Sequence, residues 1–153
     1  MSQQWILEAT LTPRRVPSTR GQVLLSEQDS ELRSLLASVL REHGYAVFEA
    51  SNNVQLFDYL WNCRRDAESW PEPDIVISDL RLPGWTAPEL LRTLEYSLIK
   101  TPVLFITANA EDLHAVRGEN RDTVVVLEKP FDMDALAREL TRLVGPAPCA
   151  TAG

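Results

Sequence analysis

The chain has 153 residues, of which 44% are hydrophobic and 24% charged, and its formal net charge is −7 at pH 7. This size and composition indicate one globular domain with a hydrophobic core. The negative charge and the lack of a basic run argue against binding of nucleic acid through its phosphates. No apolar stretch approaches the ~20 residues that cross a bilayer. Two cysteines, Cys63 and Cys149, do not make a disulfide framework, so we expect a cytoplasmic protein.

The first half of the chain predicts two strands, each followed by a helix. Residues 1–20 end in a linker-like segment with Pro and Arg, and we take them as an N-terminal extension. Strands are predicted at residues 23–26 and 45–50. Asp29 or Ser30 is the candidate N-cap of the first helix. Apolar residues recur at helical spacing after both strands: Leu32, Leu35, Leu36, Val39 and Leu40 in the first helix, and Val54, Phe57 and Trp61, with Leu56 and Leu60 beside them, in the second.

The second half is organised around a predicted strand at residues 74–78, in which Ile75, Val76, Ile77 and Ser78 lead directly into Asp79. Such an uninterrupted apolar run is typical of a central parallel strand that is covered on both faces. Two further strands are predicted at residues 102–106 and 123–127. Helices are predicted after each of these three strands, the last one capped by Asp132. The residues from Gly145 onward are predicted to be a disordered tail.

Five strands that alternate with five helices predict an α/β fold with a doubly wound, five-stranded parallel sheet. The flavodoxin-like strand order 2-1-3-4-5 is the natural one at this size. We expect it to span residues 21–144. In that order the carboxyl ends of strands 1, 3, 4 and 5 meet at one crevice. The polar residues delivered there are Glu27, Gln28, Asp79, Thr107 and Lys129.

These residue types fit phosphoryl transfer. A carboxylate at a strand end can act as a nucleophile and form an acyl phosphate, a reaction that depends mainly on neutralising charge. Mg²⁺ takes oxygen ligands from one or two carboxylates, which Asp79 and Glu27 could supply. Lys129, one of only two lysines in the chain, offers a compact cation, and Thr107 offers a hydroxyl donor.

The chain resembles the receiver domain of two-component response regulators, near in size to the single-domain chemotaxis type. The resemblance covers about residues 21–144. It is carried by four features in order: Glu27-Gln28-Asp29, Asp79 with Pro83 four residues on, Thr107-Ala108, and Lys129-Pro130-Phe131. It implies a module that signals through protein–protein contact as a monomer or weak dimer. The phosphoryl donor would be a sensor histidine kinase or a phosphotransfer protein. Enzymatic activity would be limited to the module's own phosphorylation and dephosphorylation.

The resemblance also implies a role for each site residue. Asp79 would be the phosphoryl acceptor, Thr107 the switch hydroxyl and Lys129 the lysine typical of the family. Glu27, Gln28 and Asp79 would bind Mg²⁺ together with the backbone carbonyl of Arg81. Arg81 and Asn109 match variable positions that tune the dephosphorylation rate in such domains.

Two departures from the family pattern leave a second hypothesis open. Gln28 replaces the acid that usually binds the metal directly, so we expect weaker Mg²⁺ binding. Val126 replaces the switch aromatic, usually Tyr or Phe, three residues before the lysine. The alternative is therefore a degenerate receiver that docks on its partner without phosphate.

A small enzyme of similar fold is a third hypothesis. A flavin site would call for a Ser-, Thr- and Gly-rich loop after strand 1, where this chain has Glu-Gln-Asp. An aspartate-nucleophile phosphatase usually has a second acid two residues after the first, and that position is Arg81 here. Both enzyme classes are therefore disfavoured.

Overall fold

A computed structural model describes residues 20–79, 89, 92, 101–108 and 124–145. Within this part the chain forms one five-stranded sheet in the order β2-β1-β3-β4-β5, and all neighbouring strands run parallel. The predicted fold class and strand order are confirmed. The strands are β1 (Gly21–Ser26), β2 (Tyr45–Ala50), β3 (Ile75–Asp79), β4 (Val103–Thr107) and β5 (Val124–Glu128).

Three helices pack on the sheet in the described part of the chain: α1 (Ser30–Glu42), α2 (Asn53–Arg65) and α3 (Met133–Val144). Each begins at a polar N-cap whose side-chain oxygen accepts from backbone N–H groups of the first turn. The caps are Asp29, Asn52 and Asp132. Glu89 and Arg92 have helical backbone, as the predicted third helix requires. The rest of that helix and the predicted helix at residues 111–117 lie outside the described residues.

Successive side chains of each strand point to opposite faces of the sheet, and an apolar core lies on each face. On one face, Leu24, Val76 and Phe105 pack against α2. On the other face, Leu25 and Ile77, with their neighbours, pack against α1 and α3. Central strands that are buried on both sides explain the uninterrupted apolar runs in the sequence.

Some residues that helical periodicity placed in the apolar stripes have exposed side chains in the structure. Leu35 on α1 is 52% exposed. On α2, Val54, Phe57 and Trp61 are 62%, 39% and 49% exposed. The buried stripe of α2 is instead Leu56, Tyr59, Leu60 and Cys63. Because α2 carries apolar residues on two opposite faces, periodicity alone could not decide which face packs on the sheet.

Buried hydrogen bonds join α2 to the amino ends of the strands. The hydroxyl of Tyr59 donates to the carbonyl of Pro71 at 2.6 Å and accepts from the side-chain amide, Nε2, of Gln22 at 3.3 Å. The carboxylate of Asp74 accepts from the backbone N–H of Gln22 at 2.7 Å. It lies so close to Gly21, which has φ +122°, that a Cβ there would meet it at 2.6 Å. These hydrogen bonds hold α2 and the amino ends of the strands together at the edge of the sheet opposite the predicted site.

None of the described helices is long and apolar enough to cross a membrane. The extension assigned to residues 1–20 and the tail assigned to residues 145–153 lie, except for Arg20 and Gly145, outside the described residues.

Candidate functional site

Asp79 and Lys129 meet at the carboxyl edge of the sheet. Asp79 is the last residue of β3, and Lys129 follows directly after β5. The Lys129 Nζ lies 3.2 Å from Asp79 Oδ2, a charge-assisted hydrogen bond. The peptide bond between Lys129 and Pro130 is cis. Two residues 50 positions apart in sequence are therefore in contact at one edge of the sheet, as the predicted strand order requires.

Glu27 completes a three-group cluster. It follows β1, is only 2% exposed, and places Oε2 3.4 Å from Lys129 Nζ. Its other oxygen, Oε1, accepts from the backbone N–H of Asp29 at 3.1 Å. A carboxylate this deeply buried needs such partners, because an unpaired buried charge is costly. Glu27 is thus held in a defined position beside Asp79 rather than exposed at the start of a helix.

The electrostatics of Lys129 follow from this geometry. Burial by itself lowers the pKa of Lys129, because it disfavours the charged form. The carboxylates of Asp79 and Glu27, with their hydrogen bonds, act in the opposite direction and outweigh burial, so the pKa is raised above its usual value. The amine is therefore a permanent cation at physiological pH.

Thr107 ends β4 beside this cluster. It is 1% exposed, and its carbonyl accepts from the backbone N–H of Lys129 at 2.6 Å. Its neighbour Ile106 pairs with Asp79 in the β3–β4 register. Thr107 therefore lies at the same edge of the sheet as Asp79, and its backbone is hydrogen-bonded to that of Lys129.

Gln28, the predicted metal ligand next to Glu27, is placed differently. The side chain of Gln28 is exposed. Asp29 is the N-cap of α1, and its Oδ1 accepts from the backbone N–H groups of Glu31 and Leu32. Asp29 therefore does not replace the carboxylate that Gln28 lacks. Arg81 and Asn109 lie outside the described residues.

Arg33 is a residue of this region that the sequence did not single out. Its Nη1 donates to the carbonyl of Glu27 at 2.8 Å, and its Nε lies 3.6 Å from Glu49 Oε1. Arg33 thus connects α1 to the segment that presents Glu27 and to the end of β2. One partner is a backbone atom and the other comes from a different element, so no local sequence pattern could have shown the contact.

The site offers the oxygen ligands that Mg²⁺ requires, but it has one carboxylate fewer than is usual in the family. Two carboxylates, Glu27 and Asp79, lie on either side of one amine, and Gln28 can add a neutral amide oxygen. Among the described residues, no group of three or more His, Cys, Asp or Glu could hold a metal. Because Mg²⁺ is usually bound by only one or two carboxylates together with water, these residues fit the ion.

The family model for the response regulator receiver domain matches residues 23–141. The chain belongs to this family. Receiver domains take part in two-component signalling, act with histidine kinases or phosphotransfer proteins, and in general bind Mg²⁺ at the phosphorylation site.

Comparisons with individual proteins agree with the family. This receiver is 35% identical to DctD, a C4-dicarboxylate transport transcriptional regulatory protein of Pseudomonas aeruginosa, over 80% of this chain and 26% of that protein. It is 31% identical to a probable transcriptional regulatory protein of Picosynechococcus sp., over 83% of this chain and 50% of that protein. The structure of the receiver domain of the hybrid histidine kinase CckA has a TM-score of 0.62 at 29% identity, over 80% of this chain and 99% of that one. The chain thus spans at most half of the curated relatives named here.

Proposed function

We propose that this receiver is a phosphoacceptor that takes a phosphoryl group on Asp79 from a histidine kinase or a phosphotransfer protein. The observation that carries the proposal is the 3.2 Å contact between the Asp79 carboxylate and the Lys129 amine. Asp79 is partly exposed at the end of a central strand, so a donor can reach it. A nucleophile next to a fixed cation is what phosphoryl transfer requires.

The reaction is a displacement at phosphorus. A carboxylate oxygen of Asp79 forms a bond to phosphorus while the bond from phosphorus to the donor histidine nitrogen breaks. The imidazole leaves with the electron pair, and the product is an acyl phosphate. The Lys129 amine stabilises the charge on the phosphoryl oxygens, and the hydroxyl of Thr107 is the donor proposed for one of those oxygens. A bound Mg²⁺ would neutralise phosphoryl charge, held by Asp79 and Glu27 with Gln28 and the carbonyl of Arg81.

The consequences for signalling follow from the charge of the product. Phosphorylation replaces the Asp79 carboxylate by a group with additional negative charge and more acceptor oxygens. Lys129 and Thr107 are the groups placed to respond, and both belong to the β4–β5 edge of the sheet. We infer that output is a change in protein–protein contact near β5, in the cytoplasm, and that the only catalysis is the domain's own phosphorylation and dephosphorylation.

The test is phosphorylation by a small phosphodonor with Mg²⁺, followed by intact mass. We expect one added phosphate in the wild type and none in Asp79→Asn. Asp134→Asn, an exposed acid at the start of α3, is the matched control and should still be modified. An adduct that persists in Asp79→Asn would contradict the assignment of the acceptor.

A degenerate receiver that docks without phosphate is the second candidate, and two observations favour it. Gln28 gives the site a neutral ligand in place of a carboxylate, and Asp29 is committed to capping α1. Val126, partly buried in β5, cannot swing between positions as an aromatic ring does. No adduct at any Mg²⁺ concentration, with binding to the partner retained in Asp79→Asn, would establish this alternative.

A further inference from the structure

Arg33 on α1 holds the backbone between two residues of the site. Its Nη1 donates to the carbonyl of Glu27 at 2.8 Å, and its side chain is 17% exposed. That carbonyl belongs to the peptide unit that joins Glu27 to Gln28. Because a peptide unit is planar, a contact that fixes its carbonyl also fixes the direction in which the chain enters Gln28. Arg33 therefore influences the orientation of both residues.

The stability of α1 does not explain a cation at this position. Arg33 lies at the end of the first turn of α1, where its backbone N–H donates to the carbonyl of Asp29 at 2.8 Å. The partial positive charge at the N-terminus of a helix favours acids nearby and opposes bases. Side chains of a helix lean toward its N-terminus, so a long one here reaches back to the segment before the helix. The position thus suits a contact with Glu27 better than it suits the stability of α1.

Glu49 on β2 keeps the guanidinium group of Arg33 in place. Its Oε1 lies 3.6 Å from Arg33 Nε, and its Oε2 accepts from Arg41 Nη1 at 3.2 Å. Arg41 Nη2 also donates to the carbonyl of Val47 at 3.0 Å. A guanidinium group presents several donors in a rigid plane, and Arg33 directs one toward a carboxylate and another toward the carbonyl of Glu27. Glu49 also offsets the positive charge of Arg33 next to the site.

Four groups hold Glu27. Its backbone N–H donates to the carbonyl of Ala50 at 3.1 Å, and its carbonyl accepts from Arg33. Its carboxylate accepts from the backbone N–H of Asp29 and from Lys129 Nζ. Of these four groups, Arg33 is the one whose side chain acts on the backbone of Glu27. Its contribution can therefore be removed by substitution while both carboxylates and the amine of the site stay in place.

We propose that Arg33 is a positioning residue that orients Glu27 and Gln28 for Mg²⁺ binding. The inference rests on the proposed function, in which these two residues are metal ligands. Removal of a group that orients a metal ligand commonly lowers metal affinity by roughly tenfold to a hundredfold. The charge of Arg33 by itself acts in the opposite direction, because a cation next to the site repels a second cation. The direction of the change in Mg²⁺ affinity therefore distinguishes positioning from charge.

The test compares two arginines that contact the same acid. Arg33→Met and Arg41→Met each remove one positive charge and one contact with Glu49, and Met keeps a long side chain of good helix propensity. Of the two arginines, Arg33 is the one that contacts Glu27. Thermal unfolding of the full chain at increasing Mg²⁺ gives the concentration at the midpoint of stabilisation. That concentration should be about tenfold higher in Arg33→Met and no higher than the wild-type value in Arg41→Met.

Three results of this titration would overturn the proposal. One is a midpoint in Arg33→Met at or below the wild-type value, which would show that only charge is removed. Another is an equal change in both variants. The third is a wild type that Mg²⁺ does not stabilise at any concentration, since no metal ligands would then be oriented. A lower melting temperature in the absence of Mg²⁺ reports on the fold and leaves the midpoint free to report on positioning.

A measurement without metal checks the backbone directly. In amide NMR spectra recorded without Mg²⁺, the signals of Gln28 and Asp29 should shift in Arg33→Met and stay in place in Arg41→Met. Unchanged signals in Arg33→Met would overturn the proposal. Intact mass after treatment with a small phosphodonor reports separately on Asp79. A wild type that gains no phosphate would refute the proposed function, whereas the midpoint and the amide signals would still decide the role of Arg33.

Discussion

Lys129 is the residue on which the electrostatics of the site depend. Its amine lies 3.2 Å from Asp79 and 3.4 Å from the buried carboxylate of Glu27. Removing one partner of such a cluster leaves charge uncompensated, which costs more than the pair itself contributes. The amine therefore has a structural task as well as its proposed task in phosphoryl transfer.

Lys129→Gln should destabilise the protein at neutral pH. We expect the free energy of unfolding to fall by about 1–3 kcal/mol, because Glu27 loses its counterion while it stays buried. Urea denaturation of the wild type and the variant measures the difference. In a Glu27→Gln background the same substitution should cost clearly less, since the buried charge is gone. An equal loss in both backgrounds would show that Lys129 does not compensate Glu27.

The contribution of Lys129 should vanish at high pH. Its pKa in the folded protein is raised above the unfolded value of about 10.4. The stabilisation is therefore fully present below the unfolded pKa and is lost as the pH rises through the folded pKa. The stability difference between wild type and Lys129→Gln should stay constant from about pH 7 to 9 and shrink above about pH 10.5. Because both proteins share every other titrating group, those groups cancel in the difference.

Cys63 should be an unreactive thiol in the native protein. It is buried on the inner side of α2, and burial raises its pKa to about 11, with a smaller contribution from Glu72. The thiolate is the nucleophilic form, so at pH 8 little of it exists. In a Cys149→Ser background, modification by a disulfide reagent should be slow in buffer and fast in denaturant. Rapid reaction of the native protein would contradict the burial of this side chain.

At the level of secondary-structure elements, the start of α1 determines the shape of the acidic segment. Asp29 caps the helix through its side chain, and its backbone N–H holds Glu27 Oε1. Asp29→Ala should lower the free energy of unfolding by about 1 kcal/mol, whereas Asn, an equally good cap, should change it little. Ser38→Ala, on the exposed side of α1, is the control. A similar loss for Ala and Asn in thermal denaturation would show that charge, not capping, is what matters.

The elements themselves were largely predictable from the sequence. Short apolar runs marked the strands, β-branched in β3 and β5, and polar caps such as Asp29 and Asp132 marked helix starts. Because parallel strands present their carboxyl ends at one edge, strand order alone predicted that Asp79 and Lys129 would meet. The contacts of the Lys129 amine with Asp79 and Glu27 follow from topology rather than from local pattern.

Contacts between elements could not be predicted in the same way. Periodicity could not distinguish the two apolar faces of α2, because burial is decided by the sheet that the helix packs on. Nor could it find Arg33, whose partners are a backbone carbonyl and Glu49 on another strand. Such contacts depend on the relative position of packed elements, which a single sequence does not encode locally.

At the scale of the whole molecule, the sheet is the scaffold that positions the site at its carboxyl edge. It is held by its two apolar cores and by hydrogen bonds at the amino edge. Apolar cores on both faces hold the central strands. At the amino edge the hydroxyl of Tyr59 is bonded to Pro71 and Gln22. The sheet itself therefore positions the ligands that separate strands deliver, and changes in metal affinity should reflect ligand charge more than folding.

Metal binding should thus respond to a single added charge at position 28. Mg²⁺ that binds the folded state raises the stability of the protein as its concentration increases. We expect the Mg²⁺ concentration at the midpoint of this stabilisation to be at least about tenfold lower in Gln28→Asp, because a carboxylate replaces a neutral ligand. Thermal unfolding at increasing Mg²⁺ measures the midpoint. Ser38→Asp, which adds the same charge on the exposed side of α1, should leave the midpoint unchanged, and Asp79→Asn should weaken binding in either background. If Gln28→Asp and Ser38→Asp respond alike, the added charge acts only through the general field of the protein, and Gln28 is not at the metal site.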